Sequence, residues 1–183
     1  MCKVLNEKII FNDKMIIEKA EIKDENDNNF FRLRLKRADA SAVLILNTDT
    51  DKIILTKQFR YAISLKTKEP ILEIVAGKID EGEEPLQTAI REIEEEVGYR
   101  IKPKNIQLLV SCFASPGYSS ECFYIYYATV TNADKVSEGG GLKNENEYIS
   151  VIEMNKHEFN SLIKNGKIKD AKTYIAGLYL ALH

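Results

Sequence analysis

Alternating apolar and polar residues dominate the first half of the chain and predict β-strands. In FFRLRLK (residues 30–36) every second side chain is apolar, which is the pattern of a strand with one buried face. Polar turn residues separate the runs, for example DENDN at 24–28 and TDTD at 48–51. The six runs predicted as strands in this half are KIIF (8–11), MIIEKAEIK (15–23), FFRLRLK (30–36), Ser41–Asn47, Lys52–Gln58 and Ile71–Ala76.

The second half of the chain mixes helical and strand patterns. The predicted strands lie at 106–113, 122–130 and 148–154, and the predicted helices are Pro85–Val97, His157–Lys164 and Ala171–Leu182. Strands and helices in this order predict an α+β domain in which helices cover both sides of a mixed β-sheet. The antiparallel strands of the first forty residues predict a small additional β subdomain.

The predicted helix Pro85–Val97 has well separated faces. Pro85 suits the first helical turn, where its missing N–H costs nothing, and Gly98 suits the left-handed position just past the end. With residues placed about 100° apart around the axis, the apolar side chains fall on one stripe that must face the core. The residues of this stripe are Leu86, Ala89, Ile90, Ile93 and Val97.

Carboxylates cluster on one flank of the same helix. Glu92 and Glu96 lie four residues apart and about 40° from each other around the axis, whereas Glu94 lies on the opposite flank. Arg91 precedes Glu95 by four residues, so these two side chains can form an ion pair.

An acidic run on a helix is usually a solvated face, but its surroundings change that interpretation here. Gly77 and Gly82 precede the helix and place a tight loop beside the acidic flank. Hard divalent cations require several carboxylate oxygens and bridge readily to phosphates. A cation between Glu92 and Glu96 would turn their repulsion into a coordination site.

Composition narrows the class of function further. The 183 residues are 44% hydrophobic and 30% charged, which is typical of a globular domain. A net charge of −2 offers no basic surface to a nucleic acid, and no run approaches the roughly 18 apolar residues of a membrane span. Cys2, Cys112 and Cys122 lack metal-site spacing and are expected to be reduced, which predicts a cytoplasmic protein.

Residues 77–99 resemble the signature of the Nudix hydrolase family. Every fixed position of that signature is occupied, by Gly77, Glu83, Arg91-Glu92, Ile93, Glu95-Glu96, Gly98 and a bulky Tyr99. Tyr99 in place of an aliphatic residue is the one mild departure. The resemblance implies the Nudix fold for residues 38–183 and a small antiparallel β subdomain for residues 1–37.

The resemblance also implies a reaction. In this family the loop, helix and loop bind Mg²⁺ or Mn²⁺ against a pyrophosphate, where the metal neutralises charge and acidifies the attacking water. Carried over by position, Glu92 and Glu96 are implied metal ligands, and Ala76 contributes its backbone carbonyl. Glu95 is an implied catalytic residue, either as a further ligand or as a ligand orienter held by Arg91.

Three further stretches resemble the ADP-ribose pyrophosphatases of this family. They are LEIVAGKIDEGE (72–83), SPGYSSE (115–121) and GLKNENEYISV (141–151). In the third stretch Glu145 is implied to be the general base and Glu147 an additional metal ligand, although the division of roles between them stays open. The implied reaction is hydrolysis of ADP-ribose to AMP and ribose 5-phosphate.

Substrate contacts and an assembly follow from the same resemblance. Arg32 and Arg37 fall where the N-terminal subdomain of a partner chain reaches the nucleoside, which implies a homodimer with swapped subdomains. The other implied substrate-binding residues are Arg60, Lys78, Ser115, Pro116, Gly117 and Glu121.

Two alternative interpretations stay open. SPGYSSE and EGGGLKNENE (138–147) also resemble GDP-mannose pyrophosphatases, which perform the same chemistry on another nucleotide sugar. The alternative from a different class is a non-catalytic Nudix domain that senses a ligand. Such domains usually lose carboxylates of the signature, whereas Glu92, Glu95 and Glu96 are all present.

Overall fold

The computed structural model describes residues 1–142 and 147–182. The strands are β1 (Lys3–Asn12), β2 (Ile16–Lys23), β3 (Asn29–Lys36), β4 (Ala40–Asn47), β5 (Lys52–Gln58), β6 (Ile71–Glu73), β7 (Val75–Lys78), β8 (Ile106–Phe113), β9 (Cys122–Val130) and β10 (Ser150–Asn155). The helices are α1 (Pro85–Val97), α2 (Lys156–Lys164) and α3 (Ala171–Leu182). The chain forms two compact units, residues 1–39 with 112–123, and residues 40–111 with the chain from 124 onward.

The first unit is built on the antiparallel sheet β1–β2–β3. The turn between β2 and β3 lies where DENDN predicts it, because the Asp24 carboxylate accepts from the amides of Asn26 and Asn28 at 2.8 and 2.9 Å. Residues 112–123 join this unit through Leu35, whose amide donates to the Tyr118 carbonyl at 2.7 Å. The boundary after residue 37 stays a prediction.

The second unit contains most of a seven-stranded sheet in the order β10-β5-β4-β9-β8. Strand β4 pairs with β7 over residues 40–43 and with β5 over residues 45–47, while β5 pairs with β6 over residues 56–58. The neighbours β4 and β5 therefore separate, and β6 and β7 fill the space between them.

The prediction of one continuous strand over Ile71–Ala76 is wrong in one respect. The run divides into β6 and β7, which have different partner strands. The physical reason lies at Ile74, whose amide donates to Thr173 Oγ1 at 2.8 Å instead of to a strand. The break brings the start of α3 against the middle of the sheet.

The sheet is mixed, as predicted. Strand β4 runs antiparallel to β5 and to β7, and β10 runs antiparallel to β5. Strands β4 and β9 are parallel, because their last residues lie together: the Thr48 amide donates to the Val130 carbonyl at 2.8 Å.

Helices cover both faces of this sheet. The core beneath α1 contains Val43, Ile45 and Ile54, and the alternate residues of the same strands face α2 and α3. The predicted stripe on α1 is buried, with Ala89, Ile93 and Val97 fully enclosed and Leu86 and Ile90 partly so. No helix in the described part of the chain is long and apolar enough to cross a membrane.

Candidate active site

Helix α1 is fixed at both ends by local interactions. At its start the Glu84 and Gln87 side chains form a capping box, and Pro85 occupies the first turn. At its end Gly98 takes a φ of +76°, and a Cβ there would meet the Ser137 carbonyl at 2.1 Å. Because the apolar stripe faces the core, the rotation of the helix is set and Glu92 and Glu96 face β7.

The two carboxylates lie against the backbone of β7. A Cβ added to Gly77 would lie 1.8 Å from Glu92 Oε1, so glycine is what admits this carboxylate. Glu96 Oε2 accepts from the Ala76 amide at 3.3 Å. Glu92 is 8% exposed and Glu96 only 3%, so both are buried rather than on a solvated flank.

Gly77→Ala is expected to lower turnover by roughly 100-fold, since about 1 Å of displacement in a catalytic group has an effect of that size. Gly77 lies outside the left-handed region, so alanine is compatible with the backbone and the clash falls on the Glu92 side chain. Steady-state rates and the thermal midpoint of the purified variant would be measured. An unchanged rate would show that the Glu92 position does not matter for turnover.

Arg91 connects three carboxylates. Its Nε and Nη2 donate to the two oxygens of Glu83, each at 3.1 Å, and its Nη1 donates to Glu92 Oε1 at 2.7 Å. The predicted pair with Glu95 is confirmed at 2.9 Å. Together with the Thr88 hydroxyl, Arg91 lowers the pKa of Glu83 to about 2. Arg91 thereby holds Glu92 and Glu95 in place from the helix itself.

With Glu92 and Glu96 both ionised, the site would hold more buried negative charge than its cations balance. Burial, with smaller contributions from Glu95 and Glu147, raises the pKa of Glu92 to about 7 despite Arg91. Burial, followed by Glu92, raises the pKa of Glu96 well above its usual range, and Glu147 contributes. Such shifts are typical of functional carboxylates.

This charge excess is the observation that fits a divalent cation. Within residues 1–142 and 147–182, no three His, Cys, Asp or Glu side chains already surround a point that could hold a metal ion. The donor chemistry nonetheless suits one, because Glu92 and Glu96 supply hard oxygens and their mutual repulsion would be relieved. The group seen on Glu96 is the Ala76 amide, so the implied role of the Ala76 carbonyl stays a prediction.

Without metal, the stability of the protein is expected to fall as the pH rises from about 4.5 to about 7. Glu92 has a higher pKa in the fold than the 4.5 of an unfolded chain, so the folded state binds the extra proton across this range. The loss of stability that comes from ionising Glu92 in the fold is absent below a pH of 4.5 and complete above a pH of about 7. Thermal midpoints in EDTA would be compared for the wild type and Glu92→Gln, and the variant should gain relative stability toward neutral pH. A constant difference between the two proteins would contradict this expectation.

A glycine-rich segment covers the end of α1. The amides of Gly140 and Gly141 donate to the carbonyls of Glu96 and Glu95 at 2.8 and 3.2 Å, which satisfies acceptors that a helix end leaves unpaired. We call residues 136–142 the strap. Its last residue, Leu142, donates its amide to Glu147 Oε2 at 3.1 Å. The strap thus places Glu147 where its charge affects Glu92 and Glu96.

The predicted general base, Glu145, lies outside the described residues. Its role, and those of Glu95 and Glu147, stay predictions. The structure does establish where the neighbouring residue Glu147 is held.

Several predicted substrate residues come together in the first unit. A groove of about 420 Å³ is lined by Arg32, Pro116, Gly117 and their neighbours. The Ser115 carbonyl closes the turn by accepting from the amides of Tyr118 and Ser119 at 3.1 and 2.9 Å. The contact of Arg32 with the ring of Phe30, at 4.5 Å, leaves its guanidinium at the surface.

The remaining predicted substrate residues are engaged in ion pairs. In the first unit Arg37 Nε lies 3.5 Å from Glu121 Oε1. In the second unit Lys78 Nζ lies 3.0 Å from Asp80 Oδ1, with both side chains largely exposed. Their substrate roles stay predictions.

The structure surrounds the predicted substrate residue Arg60 with three charged residues that the sequence did not indicate, Glu73, Asp170 and Lys172. Arg60 makes a two-pronged contact with Glu73, at 2.7 and 2.9 Å, and Lys172 lies between Glu73 and Asp170. One signal existed for Glu73, a lone carboxylate inside the apolar run ILEIVA. For Asp170 the signal was its residue type, because aspartate is favoured at the position just before a helix.

Comparison with protein families places most of the chain in one of them. The model of the NUDIX domain matches residues 36–175. The chain is 34% identical to an ADP-ribose pyrophosphatase of Bacillus subtilis (strain 168), over 98% of this chain and 92% of that protein. It is 32% identical to a methanol dehydrogenase activator of Bacillus methanolicus, over 98% and 92% of the two chains.

Two further comparisons concern a relative that matches a shorter part of the chain and a solved structure. The chain is 32% identical to a GDP-mannose pyrophosphatase of Cronobacter sakazakii (strain ATCC BAA-894), over 80% of this chain and 75% of that protein. The crystal structure of an ADP compounds hydrolase superposes with a TM-score of 0.76 at 22% identity, covering 98% of this chain and 91% of that one. The last match concerns the fold alone.

Proposed function

Because this chain belongs to the Nudix hydrolase family and is a pyrophosphohydrolase, we propose that its substrate is ADP-ribose and its products AMP and ribose 5-phosphate. The observation that carries the proposal is the pair of buried carboxylates, Glu92 and Glu96, held against β7 with uncompensated charge. The 34% identity to an ADP-ribose pyrophosphatase along nearly the whole chain supports this substrate.

Nudix hydrolases generally use divalent metals, and we propose Mg²⁺ or Mn²⁺ here. Glu92, Glu96, Glu147 and the Ala76 carbonyl would hold the cation. When bound, it would neutralise phosphate charge and make the attacking water more acidic.

The residues of the chain orient the reactants and move the proton. In the proposed step the water oxygen bonds to one phosphorus while the bond from that phosphorus to the bridging oxygen breaks. Glu145 accepts the proton of the water, and Glu95, held by Arg91, orients the ligand set. Arg60 contacts a phosphate, and Lys78 lines the substrate site.

The first unit supplies the proposed nucleoside contacts and the proposed dimer. Arg32 and Arg37 would reach the nucleoside that is bound by a partner chain, and the turn Ser115–Gly117 and Glu121 would line the substrate site. Exposed apolar side chains on β1 and β3 support a homodimer through this unit, since they are unusual on a monomer. They are Val4, Leu5, Ile9, Ile10, Phe11, Phe31 and Leu33. The three free cysteines support a cytoplasmic location.

Two other functions have specific support. The identity to a GDP-mannose pyrophosphatase favours GDP-mannose as the second candidate substrate. The similarity to a protein named as a methanol dehydrogenase activator keeps a non-catalytic, ligand-sensing domain as the alternative from a different class. The three intact carboxylates Glu92, Glu95 and Glu96 favour catalysis over sensing.

Product analysis of the purified protein with Mg²⁺ would test the proposal, using ADP-ribose, GDP-mannose, ADP-glucose and NADH. AMP and ribose 5-phosphate formed fastest from ADP-ribose would support it. If GDP-mannose is turned over faster, the metal-site residues stay as assigned and the assignment of the nucleoside site to ADP-ribose is overturned. Tight ADP-ribose binding with no turnover would favour the sensor.

A further inference from the structure

Arg60 is held by charged residues that lie outside the signature at 77–99. We infer that Glu73, Lys172 and Asp170 are positioning residues, which fix the Arg60 guanidinium beside Glu96 so that its outer edge receives a substrate phosphate. The substrate part of this inference rests on the proposed function. The positioning part rests on geometry alone.

The contact between Arg60 and Glu73 fixes the plane of the guanidinium. Arg60 Nε and Nη2 donate to the two Glu73 oxygens at 2.7 and 2.9 Å, the fork geometry that restrains both groups. Glu73 is only 2% exposed and belongs to β6, immediately before the break at Ile74. Arg60 is therefore bound to a buried carboxylate rather than to an exposed one.

A second charged pair, Lys172 and Asp170, holds the Glu73 carboxylate in place. Lys172 Nζ lies 3.7 Å from Glu73 Oε2 and 2.7 Å from Asp170 Oδ1. Asp170 in turn accepts from the Thr173 amide and hydroxyl at 2.9 and 2.7 Å, at the start of α3. The network therefore joins two cations, Arg60 and Lys172, to two carboxylates, Glu73 and Asp170. It connects the start of α3 to the sheet.

The remaining donors of Arg60 are available for an anion. A guanidinium has five N–H donors, and two of them go to Glu73. In the described part of the chain no other acceptor takes Arg60 side-chain donors, and its side chain is 43% exposed. Glu73, which holds Arg60, lies three residues before Ala76, whose amide donates to Glu96, so the chain brings Arg60 near the proposed metal ligand.

Glu73 therefore does two things for the site. It directs the free edge of Arg60 outward, and it prevents Arg60 from pairing with Glu96, which would compete with the cation. A network that only attached α3 to the sheet would affect stability and leave the substrate and metal dependence unchanged.

Glu73→Gln tests the inference, because it retains the size of the side chain but removes the charge and one of the two acceptor oxygens. We expect the KM for ADP-ribose to rise roughly 10-fold, the effect of losing one charge-assisted hydrogen bond. The Mg²⁺ concentration for half-maximal rate should rise as well, with kcat little changed. Lys172→Arg should behave as the wild type, and Lys172→Met should resemble Glu73→Gln. Glu153→Gln, which breaks the surface pair with Lys52 at 3.2 Å, is the matched control.

Two results would overturn the inference. One is a Glu73→Gln variant with a lower thermal midpoint but wild-type KM and Mg²⁺ dependence. The other is a full additional rise in KM when Glu73→Gln is introduced into Arg60→Met, since Glu73 should act only through Arg60.

A spectroscopic measurement separates this inference from the proposed function. In ¹⁵N-labelled protein the Arg60 Nε–H resonance, identified by its loss in Arg60→Lys, should be protected from exchange in the wild type and less protected in Glu73→Gln. If the wild type hydrolyses none of the test substrates but shows this protection, the proposed function fails and the positioning stands. If the resonance is unprotected in an active wild type, the positioning fails alone.

Discussion

Glu96→Gln is expected to reduce ADP-ribose hydrolysis by roughly 1,000-fold or more, because a bound metal contributes several kcal/mol to such reactions. The protein should remain folded. Glu96 is almost fully buried, and burial disfavours its charged form, so the neutral amide fits the same space without that penalty. Initial rates with Mg²⁺, and thermal midpoints with and without Mg²⁺, would be measured. The wild type should be stabilised by Mg²⁺ more than the variant, since only binding to the folded state raises the midpoint.

Glu94→Gln is the matched control on the same helix. Glu94 pairs with Arg100 at 2.6 and 3.0 Å on the other flank of α1, so its loss should leave turnover unchanged. A Glu96→Gln variant with most of its activity would exclude Glu96 as a metal ligand. Equal losses in both variants would indicate damage to α1 rather than to the site.

Glu145→Gln is expected to lower kcat by roughly 10²–10⁴-fold, the range for a missing general base. Glu145 has the implied role of the base, and Glu147, two residues later, is held where its charge reaches Glu92 and Glu96. A base must lie within hydrogen-bonding distance of the attacking water, and the strap ends beside the proposed metal ligands. Because the amide cannot accept a proton at neutral pH, kcat should fall far more than KM changes.

Two comparisons make the Glu145 prediction specific. Glu138→Gln, on the same segment, removes a highly exposed carboxylate that pairs with Lys135 at 3.3 Å, and should have no effect. Glu147→Gln and Glu95→Gln remove the other carboxylates with an implied role. If either lowers kcat far more than Glu145→Gln does, that residue is the base instead.

Local signals predicted α1 well. Its observed bounds, Pro85–Val97, agree with the prediction because the capping residues and the apolar stripe are encoded within about fifteen neighbouring positions. Helix α3 also has its predicted bounds, Ala171–Leu182. The Arg91–Glu95 pair was equally predictable, since a helix places side chains four apart in contact.

Long-range contacts produced the features that local patterns did not predict. The break at Ile74 depends on Thr173, which is 99 residues away in the chain. A helical projection places Glu92 and Glu96 on one flank, but their burial depends on β7, whose Gly77 admits the carboxylate. The anchor of Arg60 likewise joins β6 to the start of α3.

The strap connects the last turn of α1 to Glu147, because its Leu142 amide donates to the Glu147 carboxylate. Its glycine amides occupy the carbonyls of Glu95 and Glu96, and a Cβ on Gly139 would meet the Glu96 carbonyl at 2.5 Å. Lifting the strap would therefore expose helix carbonyls to water and loosen the turn that carries both glutamates. We therefore expect local unfolding of this turn and opening of the strap to occur together, so that amide hydrogens of the two elements exchange with deuterium at a common rate.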